Sequence, residues 1–149
     1  MRIYFTAAIT AIDQFGKNYK AIVETLEGIG HKVIADHILK ADLNSITKET
    51  QKEQEEYYRW MLKQISSADI LIAEVSFPST VHVGHELTLA LDKEKPVLAL
   101  YVKGRKPVLF WGATSDKFYV AEYNLDDLKD ILKDSIEDLA NQMDVRFNF

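Results

Sequence analysis

One stretch in the middle of the chain, residues 68–91, most constrains the fold. It reads ADILIAEVSFPSTVHVGHELTLAL. Its first apolar run, residues 69–73, is typical of a strand buried on both faces of a parallel sheet. A loop follows, because Pro78 cannot continue a central strand. From Gly84 the apolar spacing predicts a helix that ends near Lys93. The stretch is therefore interpreted as a strand, a loop and a helix in succession.

This unit also predicts a ligand site. Open parallel sheets bind ligands outside the carboxyl ends of their strands, and a helix that begins there offers unpaired N–H groups to an anion. Ser79, Thr80 and Gly84 are therefore candidates for binding phosphate. Glu86 would lie in the first turn of the helix, where the dipole favours the ionised carboxylate. It is either a candidate nucleophile or simply a favourable first-turn acid.

The other apolar runs alternate between strand and helix patterns. Strands are predicted at residues 2–6, 31–35, 96–102 and 117–122, and amphipathic helices at residues 18–29, 47–66 and 126–142. Residues 40–45 are predicted to be irregular, and residues 108–112 to form a short helix or a packed loop. This alternation predicts one α/β domain, residues 1–149, with a flavodoxin-like (Rossmann-like) five-stranded parallel sheet of order 2-1-3-4-5 and helices on both faces.

In that strand order, the crevice lies between the first and third strands. The residues around the end of the first strand are therefore expected to bind the ligand: Thr6, Ala7, Ala8 and Ile9. Tyr4 either packs in the core or needs a polar partner for its hydroxyl. Asp36 and His37 follow the second strand, where they either line the crevice or form a turn, and the turn is the simpler interpretation.

Composition excludes several classes of function. A net charge of -5, with no basic stripe, argues against binding to a nucleic acid polymer. No apolar run approaches the roughly 20 residues that span a bilayer, so no membrane contact is expected. The chain has no cysteine and only four histidines, and His82 and His85 without a third ligand predict no metal site. A cytoplasmic location is expected, because there is neither a signal-like start nor a disulfide.

Several segments together resemble the nucleoside 2-deoxyribosyltransferase superfamily, and among its branches the 2'-deoxynucleoside 5'-monophosphate N-hydrolases. The segments are IYFTAAI, ADILIAEVSFPS, VGHELTLAL, KPVLALY and RFNF. The resemblance implies cleavage of an N-glycosidic bond through a covalent glycosyl-enzyme intermediate. It implies that Glu86 is the nucleophile, that Tyr4 orients it, and that Ser79 or Thr80 contacts the 5'-phosphate. It also implies a nucleotide or nucleoside as ligand, no cofactor, and a homodimer or larger homo-oligomer.

The chain departs from the family pattern in three places: at Met61, in residues 7–11, which lack the family's arginine, and in the loop before Glu86, which has one extra residue and His82 where glycine is common. Met61 stands where these enzymes usually carry an aspartate with an acid–base role. His85 is the first candidate to replace it, ahead of Asp69 and Glu56. Glu74 is expected to be a structural acid that hydrogen-bonds loop amides. Two alternative functions stay open: a deoxyribosyltransferase, and a nucleotide-binding module without catalysis.

Overall fold

The computed structural model describes residues 1–78, 81–108 and 114–147, the last five of these by backbone alone. The predictions for Ser79, Thr80 and Trp111 therefore lie outside the described residues. The strands are β1 (Arg2–Ala7), β2 (Lys32–Ile34), β3 (Ile70–Glu74), β4 (Val97–Val102) and β5 (Phe118–Tyr123). The helices are α1 (Ile12–Gly28), α2 (Asp36–Leu39), α3 (Leu43–Ile46), α4 (Gln51–Ser67), α5 (Val81–Asp92) and α6 (Leu128–Phe147), and Ile9–Ala11 forms a short 3-10 turn.

The predicted sheet is confirmed. All neighbouring strands are parallel, and their order is β2-β1-β3-β4-β5. The three central strands are almost completely buried, as expected of strands covered on both faces. None of the helices formed by the described residues is long and apolar enough to cross a membrane.

The alternation of side chains along β1 divides the core into two parts. Ile3 and Phe5 point to the face covered by α1 and α6. Tyr4 points to the opposite face, where it packs with residues of α4 and α5. Successive strand residues face opposite sides of a sheet, so Thr6 shares the face of Tyr4. The strand period therefore directs both hydroxyls of β1 toward α4 and α5.

Several predicted boundaries were wrong. Helix α1 begins at Ile12, six residues before the predicted start. The segment predicted to be irregular, and the turn predicted at Asp36 and His37, instead contain the short helices α2 and α3. Helix α5 begins at Val81, three residues before Gly84, so Glu86 lies in its second turn and not in its first. Helices α2 and α3 are too short to show the repeated apolar spacing on which a helix prediction depends.

Both ends of α4 are fixed by side chains. Thr50 and Glu53 form a capping box at the start: the Thr50 hydroxyl accepts from the Glu53 amide at 3.2 Å, and the Glu53 carboxylate accepts from the Thr50 amide at 2.7 Å. At the other end, the Arg2 guanidinium donates to Gln64 Oε1 at 2.7 Å and to Ser67 Oγ at 3.1 Å. The Arg2 contacts therefore fix the position of the C-terminal end of α4 relative to β1.

Replacing Thr50 with Ala should destabilise the protein by about 1 kcal/mol, because the variant loses the side-chain acceptor of the capping box. The free energy of unfolding is measured by urea denaturation. Lys52→Ala, at an exposed position of the same helix, is the matched control and should change the free energy by less than about 0.5 kcal/mol. Equal effects of the two substitutions would contradict a role for the capping box.

Candidate active site

A cavity of about 680 Å³ lies beside the turn that follows β1. Its walls come from this turn, from α2 and α3, and from the facing sides of α4 and α5. Its volume lies in the range of pockets that hold small organic ligands. The aromatic, imidazole and thioether groups on its walls are His37, Tyr57, Tyr58, Met61, His82 and His85.

Glu86 is buried behind residues that line this cavity, and its carboxyl group is withdrawn from solvent. Its residue exposure is 2%, and the residues next to it in space and in sequence, Tyr57 and His85, both line the cavity. Within the described part of the chain, Glu86 Oε2 has no hydrogen-bond partner. A buried carboxylate oxygen without a partner is costly, so such a group is a candidate for interaction with a ligand.

The sequence-based expectation about the ionisation of Glu86 was wrong. Burial raises its pKa to about 7, while the neighbouring hydroxyls of Thr6 and Tyr4 oppose this rise because they stabilise the carboxylate. The first-turn dipole does not act on Glu86 as expected, since the residue lies one turn further along α5. At neutral pH the free protein therefore contains both the protonated and the ionised form.

Tyr4, on β1, is a neighbour of Glu86. It is fully buried, and its hydroxyl has no hydrogen bond of normal geometry to the described residues. Burial is the main cause that raises the pKa of Tyr4 far above its usual range, and the charge of Glu86 adds to the effect. Tyr4 therefore remains a protonated donor close to the carboxyl.

His37 is a site residue whose role the sequence left undecided. Its ring stacks on Tyr4 with centroids 4.8 Å apart and meets the edge of Trp60 at 5.2 Å. Burial lowers the pKa of His37 to about 4, so the imidazole is neutral at pH 7. Both ring nitrogens are buried without a partner among the described residues. Of the two interpretations left open, the structure supports the one in which His37 lines the crevice.

Tyr57 was missed by the sequence analysis. It lies on α4 one turn before Met61, which is 2% exposed, and both residues line the cavity. The raised pKa of Tyr57, about 12, has burial as its main cause and the charge of Glu86 as the second. The spacing of four residues from Met61 was the available signal, because residues four apart share one face of a helix.

His85 and Tyr58 form a pair at the rim of the same cavity. His85 Nε2 and the Tyr58 hydroxyl are 2.8 Å apart, and the two rings stack with centroids 5.8 Å apart. The side chain of His85 is exposed. His82 also lines the cavity, but no group of three or more metal-ligating side chains occurs among the described residues.

The predicted ligand-binding residues divide into two groups. Thr6 lies beside Glu86, and Ile9 lines the large cavity. The side chains of Ala7 and Ala8 instead pack in the core on the α1 and α6 side. Gly84 lines a second cavity of about 450 Å³ on the other flank of α5.

The second cavity differs from the first in charge. Two cations, Arg105 and Lys106, and one carboxyl, the buried Glu74, contribute to its walls, together with Gly84 and the loop residue Ser76. The large cavity meets the start of α5 at Val81 and His82, so the first turn of this helix separates the two cavities. An anionic group is therefore favoured on the Arg105 side of the helix.

Two carboxylates considered as acid–base groups lie elsewhere. Asp69 precedes β3, at the end of the sheet away from the cavity, and accepts a 2.7 Å hydrogen bond from the Arg2 amide. Glu56 is on the exposed side of α4. Neither residue lines either of the two cavities beside α5.

Glu74 has the structural role that was expected of it. Its Oε2 accepts from the Ser76 amide at 3.3 Å, and its Oε1 accepts from the Ser76 hydroxyl and, at 3.2 Å, from the Tyr123 hydroxyl. Ser76 Oγ in turn accepts from the Val102 amide at 2.8 Å. This network connects the beginning of the loop that precedes α5 to β4 and β5.

Known proteins with similar sequences are N-hydrolases. A provisionally named 2'-deoxynucleoside 5'-phosphate N-hydrolase 1 of Nematostella vectensis is 33% identical over 141 residues, which cover 88% of this chain and 90% of that protein. A 5-hydroxymethyl-dUMP N-hydrolase of Tetraodon nigroviridis is 27% identical over 138 residues, covering 90% and 96% of the two chains. The sequence matches no protein-family model.

Among solved structures, a 2-deoxyribosyltransferase from Bacillus psychrosaccharolyticus has the same fold. It aligns with a TM-score of 0.63 at 18% identity, over 87% of this chain and 90% of the transferase. Together with the extent and identity of the sequence matches, this shows that the chain belongs to the 2'-deoxynucleoside 5'-phosphate N-hydrolase branch of the nucleoside 2-deoxyribosyltransferase superfamily, a group of N-glycosyl hydrolases and transferases.

Proposed function

We propose that this N-glycosidase cleaves the bond between base and sugar in a (deoxy)nucleoside 5'-monophosphate, with Glu86 as the nucleophile. The observation that carries the proposal is the buried carboxyl of Glu86 beside a 680 Å³ cavity, with one oxygen unpartnered. The name of the Nematostella relative supports a 2'-deoxynucleoside 5'-phosphate as the substrate class.

The chemistry requires a carboxylate at this place. As the C1'–N bond breaks, its electron pair leaves with the base and the anomeric carbon becomes cationic. Ionised Glu86 stabilises that charge and then bonds to C1', which gives a covalent glycosyl-enzyme intermediate. The hydroxyls of Tyr4 and Thr6 favour the ionised carboxylate, and so prepare it for attack.

The phosphate is assigned to the other flank of α5. Arg105 and Lys106 supply positive charge there, and Ser79 or Thr80 is proposed to contact phosphate oxygens, as the family resemblance implies. The first turn of α5 adds unpaired N–H groups between the two cavities. The sugar would then lie near Glu86, with the base in the large cavity.

His85 is proposed as the acid–base group, because its imidazole lines the cavity within hydrogen-bonding distance of Tyr58. Imidazole is the most frequent general acid–base group in enzymes. In this role it accepts a proton from the water that attacks C1' of the intermediate. If a second base attacks in place of water, the same intermediate gives transfer of the sugar, which is the alternative activity.

The proposal includes assembly and location. We place the enzyme in the cytoplasm as a homodimer or larger homo-oligomer. The exposed side chains of Val81 and Val108, 92% and 87% accessible in the isolated chain, support association because a partner would cover them.

Sedimentation equilibrium should give at least twice the mass of the chain, and a monomer at micromolar concentration would contradict this part of the proposal.

Replacing Glu86 with Gln should lower the release of free base by roughly 10³-fold or more, because the amide cannot bond to C1'. Chromatography of the free base is the measurement, with each common ribo- and deoxyribonucleoside and its 5'-monophosphate as substrate. Acid quenching of the wild-type reaction, followed by peptide mass spectrometry, should detect the sugar phosphate attached to Glu86.

The control for this experiment is Glu56→Gln, an exposed carboxylate on α4 that should leave turnover unchanged. A reaction with a second free base present distinguishes transfer from hydrolysis. Undiminished turnover in Glu86→Gln would refute the nucleophile. Binding of a nucleotide without any base release by the wild type would refute the glycosidase and favour a binding module.

The pH profile should report the ionisation of Glu86. Only the ionised form attacks, so kcat/KM should rise with pH through about 7 and then level off. Thr6→Val removes a hydroxyl that stabilises the carboxylate, so the rising limb should move to higher pH. The substrate phosphate titrates identically with both proteins and serves as the internal control. A limb that stays in place would show that another group governs the profile.

A further inference from the structure

Tyr57 occupies a junction in the site. Its hydroxyl neighbours Glu86 and Tyr4, and its side chain also lines the large cavity. Tyr4 has 0% exposure, whereas Tyr57 is only half-buried. Of the two phenols near Glu86, Tyr57 is therefore the one that a ligand in the cavity can touch.

Tyr57 lines the large cavity together with Glu49, Gln54 and α3 residues such as Ser45. With the anomeric carbon at Glu86, the base fills the space beyond Tyr57. The glycosidic bond then passes beside the Tyr57 hydroxyl, and this placement rests on the proposed function.

The groups around Tyr57 keep it protonated. Its pKa is raised to about 12 mainly by burial and then by the negative charge of Glu86, while the Tyr4 hydroxyl opposes the rise and the charge of Glu49 adds least to it. A phenol with such a pKa is a hydrogen-bond donor throughout the physiological range. It is not acidic enough to give its proton away at neutral pH.

Met61 cannot act as a hydrogen-bond donor on this face of α4. The thioether is apolar and buried, so it cannot donate to a developing charge. Tyr57 lies one helical turn earlier on the same face. The longer side chain of Tyr57 brings a hydroxyl close to Glu86 and so provides the donor that Met61 lacks.

We propose that the Tyr57 hydroxyl donates a hydrogen bond to the departing base, at the acceptor atom next to the glycosidic nitrogen. That atom is O2 of a pyrimidine or N3 of a purine. When C1' bonds to Glu86, the electron pair of the C1'–N bond moves onto the base and raises the negative charge on this atom. Tyr57 stabilises the charge without transferring its proton, and solvent water later protonates the base. Tyr57 is thus a catalytic residue that acts mainly in the transition state.

The test compares Tyr57→Phe with the wild type on two substrates that differ only in the leaving base. For a pyrimidine-specific enzyme these are the 2'-deoxynucleoside 5'-monophosphates of uracil and 5-fluorouracil. For a purine-specific enzyme they are those of guanine and 7-methylguanine. The second base of each pair carries less negative charge on departure and so needs the donor less. We expect Tyr57→Phe to lower kcat by about 100-fold for uracil or guanine, and at least several-fold less for the second base.

The control is Tyr101→Phe, which removes the same hydroxyl from another buried tyrosine of the α4 and α5 side of the core and should leave both rates unchanged. The two substrates are measured on one protein sample, so a partly unfolded variant does not alter the ratio of their rates. An equal loss on both substrates, or no loss on either, would overturn the role of Tyr57 and leave the glycosidase intact. Absence of base release by the wild type would instead refute the proposed function, and this inference with it.

Discussion

The burial of the Glu86 carboxyl is the constraint on which the rest of the site depends. A carboxylate is disfavoured in an apolar environment, and the pKa of about 7 measures that cost against the help of Thr6 and Tyr4. The folded state binds this proton more tightly than the unfolded state does. The contribution of Glu86 to stability is therefore fully present below about pH 4.5, the usual pKa of a glutamate, and is lost as the pH rises from there through about 7. Catalysis therefore requires the ionised form of Glu86, whereas the protonated form makes the folded state more stable.

The sheet and part of the site could be predicted from the sequence. Buried parallel strands have a continuous apolar pattern, and their alternation with helices allows few topologies, which is why the strand order was correct. The same pattern led to Glu86, Tyr4 and Thr6, because the carboxyl ends of β1 and β3 meet beside the start of α5. Strand order was sufficient to place these residues at the crevice, whereas the catalytic roles expected of Glu86 and Tyr4 came from the family resemblance.

The remaining features could not be predicted because they depend on contacts between distant segments. His37 follows a three-residue edge strand, and only the packing of α2 on β1 places its ring against Tyr4. The ionisation of Glu86 depends on burial, which a helix position does not reveal. Ala7 and Ala8 were assigned to the ligand because they lie at the end of the first strand, but that position does not reveal that their side chains pack in the core on the α1 and α6 side.

The two-sided core has a consequence for evolution and protein engineering. The chemical groups around Glu86 belong to the face covered by α4 and α5, whereas the side chains on the α1 and α6 face are mostly aliphatic and aromatic packing residues. Conservative repacking of this second face changes stability with little effect on the geometry of the first, since the sheet separates them. Stabilising mutations on the α1 and α6 face can therefore offset the destabilisation caused by the buried Glu86 carboxyl. Mutations on the α4 and α5 face can meanwhile change the substrate preference.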